Sequence, residues 1–229
     1  MRHRTASLCT LYFLAFTSTY TWTIFPRTLE AVGWTGASIG LLYSARKAID
    51  IPSLWIWGAL ADRHDPVRLI QIQLAIGLIA GLLAALFLES TFDALMVIGI
   101  LLFSATASSI FPIADSLTIS TLGASRFGFV RSFGSAGYAV MALFAALLGW
   151  YLSDYARFSM FALPILVFTM ALALIASFFL PSPEKKTEQA PSFKDLMACF
   201  ERPMLVALLV LGALLPAAAA CVHGLAWAV

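Results

Sequence analysis

Seven apolar runs, each about twenty residues or longer, recur along this chain, and six of them follow one another with only short polar breaks. A helix of about 20 apolar residues crosses a bilayer, and a lipid-embedded backbone must satisfy its hydrogen bonds within its own segment. The pattern therefore confines the chain to an all-α integral membrane bundle. Composition agrees: 61% of the residues are hydrophobic and 11% charged, whereas soluble domains are nearer half apolar and a quarter charged. The runs fall near residues 8–28, 38–60, 67–88, 92–116, 130–152, 158–180 and 203–229.

The basic Met1-Arg-His-Arg start is followed by an apolar run that continues through Tyr20, Trp22 and Phe25 without a small-residue cleavage site. It reads as a first membrane helix, not a secretory leader. Between the sixth and seventh runs lies the one long polar segment, Pro181-Ser-Pro-Glu-Lys-Lys-Thr-Glu-Gln-Ala-Pro191 and the residues to Arg202, whose Pro, Glu and Lys content reads as a solvated linker. The expected domains are a six-helix N-terminal bundle over 1–180, a cytoplasmic linker over 181–202 and a seventh helix over 203–229.

Basic residues set the orientation. With the N-terminus cytoplasmic, that side holds Arg2, Arg4, Arg63, Arg68, Arg126, Arg131, Lys185, Lys186, Lys194 and Arg202, and the other side only Arg27 and Arg157. The positive-inside rule then predicts a multi-pass protein of the cell inner (plasma) membrane with both the N-terminus and the linker cytoplasmic. The three cysteines, Cys9, Cys199 and Cys221, form no CxxC or zinc-like spacing. There is no phosphate-binding glycine loop and no nucleophile triad. No enzyme activity, cofactor, metal or nucleic-acid partner is expected.

Ionisable residues inside the spans are expensive and need partners. The second span contains Arg46-Lys47-Ala-Ile-Asp50-Ile-Pro52 near its midpoint. At spacings of four and three residues, Asp50 can serve either cation on one helix face, and one positive charge remains over. The trio either neutralises itself and orients the helix or lines a hydrated cavity. Pro52 is expected to loosen the backbone there. Trp22 and Phe25 of the first span fit an interfacial aromatic belt; Tyr20 is a candidate cavity residue.

The fourth span ends Phe111-Pro112-Ile-Ala-Asp115-Ser116, and the fifth opens Phe127-Gly-Phe-Val-Arg131-Ser-Phe-Gly134-Ser135-Ala-Gly137-Tyr138. These two spans are antiparallel neighbours joined by a short turn. Asp115 lies before that turn and Arg131 after it, at depths of roughly 12 and 8 Å from a rise of about 1.5 Å per residue. They are within side-chain reach, as a structural clamp or as a polar pair that a solute bridges. Gly134, Ser135 and Gly137 let a helix or a solute approach the backbone. In the loop between the second and third spans, Gly58-Ala-Leu-Ala-Asp62-Arg63-His64-Asp65-Pro66-Val-Arg68, Gly58 permits close helix approach and Asp62 can cap the next helix or pair with a neighbouring cation.

This loop resembles the Gly-x-Leu-x-Asp-Arg signature of the major facilitator superfamily, matched by Gly58, Leu60, Asp62, Arg63 and the distal Arg68, with Asp65 and Pro66 where glycine and a basic residue are usual. Pro112-x-x-Asp115 with Arg131-x-Phe-Gly-x-x-Gly137-Tyr138 is similar to helices 4 and 5 of the lactose permease, with aspartate for glutamate and tyrosine for tryptophan. Tyr12-Phe13 and Ile39-Gly-Leu-Leu42 add a likeness to the phenylpropionate-permease and nucleoside-symporter branch. The resemblance implies a secondary active transporter of a small polar or aromatic solute (aromatic acid, nucleoside or sugar), working by alternating access with proton symport. It implies Asp115, Arg131, Tyr138, Ser135 and Tyr20 at the solute, Arg46, Lys47 and Asp50 as intramembrane coupling charges, and Gly58, Asp62, Arg63 and Arg68 in a gating loop. Superfamily transporters have two six-helix halves. The sequence is accordingly expected to supply the first half and one further helix, as a truncated product or with a separate C-terminal half as partner. The competing expectation is a non-transporting fragment or assembly subunit.

Overall fold

The computed structural model describes residues 2–88, 93–152 and 161–181. The linker from residue 182, the seventh run at 203–229 and Arg157 lie outside them. Seven helices are present among the described residues: α1 (Arg2–Ala31), α2 (Gly36–Ala61), α3 (Pro66–Leu86), α4 (Asp93–Ala107), α5 (Ile110–Leu122), α6 (Ala124–Leu152) and α7 (Ala162–Ser177). Pro66–Leu86, Asp93–Leu122 and Ala124–Leu148 are each long and apolar enough to cross a membrane.

Six spans are thus built from seven helices, because the fourth span is broken. Pro112 is the physical reason. It sits three residues after the start position Ser109, has no N–H to give the carbonyl of Ser108, and its ring collides with that carbonyl in a regular helix. Ser108 and Ser109 form a turn that interrupts the helical hydrogen-bond ladder, with Ser109 still in the αR region. The freed carbonyls find other donors: Ala105 O accepts the Trp57 indole N–H at 2.9 Å and Thr106 O accepts the Ser109 hydroxyl at 3.3 Å. Gln73 of α3, fully buried, donates Nε2 to Ser109 Oγ at 2.6 Å. The break is therefore stitched to α2 and α3, as a polar backbone in lipid requires. Pro26 and Pro52, by contrast, are carried inside continuous helices, so α2 runs unbroken through the position expected to loosen it.

Helix α1 packs between α6 and α7, α3 between α4 and α7, α2 against α4, and α5 against α6. The core runs through Leu8, Tyr12, Phe25, Ile70, Leu74, Met96, Ile100 and Leu117. The tightest contact is between α1 and α6. Val130, Gly134, Gly137, Met141 and Ala145 form one buried stripe of α6 at the helical spacing of three and four. A side chain at Gly137 would collide with the Phe13 carbonyl of α1.

In the loop between α2 and α3, the helix cap is Asp65, whose carboxylate accepts the Val67 N–H at 2.9 Å, with Pro66 in the first helical position. Asp62 instead closes the C-terminus of α2, its N–H bonded to Gly58 O. Of the two roles open to Asp62, capping α3 is taken by Asp65 instead, because proline at the first position with Asp immediately before it is the stronger start signal. Asp65→Ala should lower the unfolding free energy by about 1 kcal/mol, seen as a reduced thermal midpoint in detergent, whereas Asp62→Ala should leave that midpoint unchanged.

Candidate functional site

Two polar clusters join the helices. The first joins α1, α5 and α6. Arg131 Nη1 donates to Asp115 Oδ2, and the Tyr12 hydroxyl donates to Asp115 Oδ1. Asp115 is thus held by both oxygens, with its side chain 21% exposed and that of Arg131 49% exposed. Sequence spacing placed Asp115 and Arg131 within reach, and the structure pairs them. Arg131, Ser135 and Tyr138, at offsets of four and seven, share one stripe of α6, and all three are exposed. Tyr138 meets Tyr20 edge-to-face at 5.1 Å between centroids, and its hydroxyl lies 3.1 Å from Thr23 Oγ1. Tyr20 of α1 therefore stands against Tyr138, a member of the α6 stripe that begins at Arg131.

The second cluster joins α1, α2 and α4 around a cavity of 310 Å³. Lys47 Nζ pairs with Asp50 Oδ2 at 3.1 Å, Ser104 donates to Asp50 Oδ1 at 2.6 Å, and Arg46 Nε donates to Ser104 Oγ at 3.1 Å. The Arg46 guanidinium lies over the Trp22 ring, 3.8 Å from its centroid. Both alternatives for the trio are partly realised: Lys47 and Asp50 neutralise one another, and all three residues line the cavity. Phe16 and Phe111, 4.2 Å apart, stand between the clusters, Phe16 stacking on Tyr12 while Phe111 lines the cavity.

Tyr12, Ser104 and Trp22 were not foreseen as participants. Tyr12 is the second ligand of Asp115, 103 positions away. Ser104 reads as one more small residue of an apolar run until the Asp50 carboxylate is opposite it. Trp22 and Phe25 are buried, at 9% and 0% exposure, not interfacial. Burial gives the indole face a cation, an attraction that strengthens when desolvated. A tryptophan one helix away from an intramembrane arginine was the available signal.

The loop residues behave differently. Asp62, Arg63 and Arg68 are exposed, and none takes part in an ion pair among the described residues. Gly58 stands open: a side chain there would meet nothing within 4 Å, so the close approach expected at this glycine is absent. Among the described residues no group of three His, Cys, Asp or Glu could hold a metal ion.

The model of the MFS_1 like family matches residues 5–226. The chain belongs to this family. The superfamily membership inferred from the loop signature and the fourth and fifth spans holds, and with it a multi-pass membrane protein. A maltose permease of Geobacillus stearothermophilus is 30% identical over 151 residues, covering 65% of this chain and 35% of the permease. The chain thus spans about a third of the length of that relative.

Proposed function

We propose that this chain is part of a secondary active transporter that moves a small polar or aromatic solute by alternating access with proton symport. The observation that carries the reading is the Tyr12–Asp115–Arg131 cluster: a carboxylate of α5 paired with a guanidinium of α6 that shares an exposed stripe with Ser135 and Tyr138. Charges at this depth are expensive and mark solute or ion pathways. The exposed nitrogens of Arg131 and the Asp115 carboxylate can bind hydroxyl, carbonyl or carboxylate groups, and the Tyr20–Tyr138 pair offers a ring face.

The six spans of 1–180 form the bundle that carries the site, followed by a cytoplasmic linker over 181–202 and a seventh helix over 203–229. The N-terminus is cytoplasmic, in the cell inner (plasma) membrane, as the distribution of basic residues indicates. Arg46, Lys47 and Asp50 supply the intramembrane charges for coupling, and the loop with Gly58, Asp62, Arg63 and Arg68 gates. A C-terminal bundle faces the exposed stripe of α6 and completes the pathway. The maltose permease relative supports a solute carrier and makes a disaccharide one member of the test panel.

The test is uptake of radiolabelled maltose, uridine and 3-phenylpropionate into proteoliposomes with an alkaline interior. At least one should accumulate above protein-free liposomes, and Arg131→Ala should reduce that uptake to background. Equal uptake by both proteins, or background uptake of all three by the wild type, would overturn the reading.

A further inference from the structure

The 310 Å³ cavity between α1, α2 and α4 carries more charge than its own residues neutralise. Two cations, Arg46 and Lys47, face one carboxylate, Asp50. Both Asp50 oxygens are already occupied, Oδ2 by Lys47 and Oδ1 by Ser104. Arg46 therefore has only a neutral hydroxyl as hydrogen-bond partner, and only its Nε is used. The guanidinium plane is fixed against the Trp22 ring, which leaves the fork of Nη1 and Nη2 without a hydrogen bond among the described residues. The rest of the lining is mostly apolar and includes Phe103, Phe111, Leu54 and Met170.

We infer that this cavity is a binding site for a small monocarboxylate, distinct from the Asp115–Arg131 pair. The carboxylate accepts the Arg46 fork, whose planar geometry matches its two oxygens. The body of the ligand, one aromatic ring or a short alkyl chain, lies along the apolar lining of Phe111, Leu54 and Met170. Binding brings the net charge of the cavity to zero, which is the arrangement a membrane interior favours. The volume lies at the small end of ligand pockets, about 300 Å³. This inference does not depend on transport, since occupancy is measurable without a gradient.

The test is equilibrium binding of radiolabelled benzoate to the purified full chain in lipid nanodiscs, with benzamide and maltose as competitors. Benzoate should bind saturably, benzamide (the same ring without the charge) should compete at least about tenfold more weakly, and maltose should not compete. Arg46→Gln should weaken benzoate at least about tenfold, the loss expected for a charged two-point contact. Leu54→Trp, which fills the cavity and keeps every charge, should abolish binding and covers the case in which Arg46→Gln does not fold. Absence of benzoate binding to the wild type, equal competition by benzamide, or wild-type affinity in Leu54→Trp would each overturn the assignment.

Discussion

Gly137→Ala should loosen the α1–α6 contact and inactivate the protein, although it adds a single methyl group. The added carbon would lie 2.3 Å from the Phe13 carbonyl oxygen and 2.9 Å from Thr17 Oγ1. The first of these is backbone in the middle of α1, so relief requires moving the helix, not turning a side chain. Overpacking of this kind costs about 1–3 kcal/mol, occasionally more. The displacement also reaches function, because α1 carries Tyr12 and α6 carries Arg131, the two groups that hold Asp115. Gly128 provides the contrast: it lies on the same helix, and a methyl group added there would meet nothing within 4 Å. Gly128→Ala should be neutral or slightly stabilising, since alanine is the better helix former by about 1 kcal/mol. Thermal midpoints of the two variants in detergent decide the matter; equal midpoints would remove the close-packing account of α6.

The spans were legible because membrane burial writes itself as length and hydropathy, a signal that needs no knowledge of neighbours. The Asp115–Arg131 pairing was legible for a related reason: a short turn between antiparallel helices fixes relative depth from residue counts alone. What failed was information carried across distant spans. Tyr12 meets Asp115 only because the α6 glycines draw α1 close, and Ser104 matters only because α2 packs on α4. The break in the fourth span was written locally, in Pro112 and its effect on the Ser108 carbonyl, and was missed because apolar content continued past it. The cap at Asp65 was written locally too, in the Pro66 that follows it, and was not read. Trp22 was assigned to an interface by residue type, whereas its surroundings are set by Arg46 on the next helix.

Removing one member of the Asp115–Arg131 pair should damage both stability and transport. Asp115→Asn leaves Arg131 facing the membrane interior with no carboxylate, and Arg131→Gln leaves Asp115 with only the Tyr12 hydroxyl. Breaking a fully buried pair costs about 3–5 kcal/mol; the half-exposed Arg131 side chain puts the cost here below that range. Each single variant should show a lower thermal midpoint, and uptake of the transported solute should fall to background. A clamp and a solute site both predict this much. They part company when both charges are removed, because Asp115→Asn with Arg131→Gln leaves no unpaired charge and keeps the side-chain volumes.

Uptake by that double variant, measured beside its thermal midpoint, is the most direct test of the Asp115–Arg131 pair as the solute site. A midpoint restored toward the wild type, with uptake still at background, is the expected result. A restored midpoint accompanied by restored uptake would contradict it and leave the pair as a helix clamp.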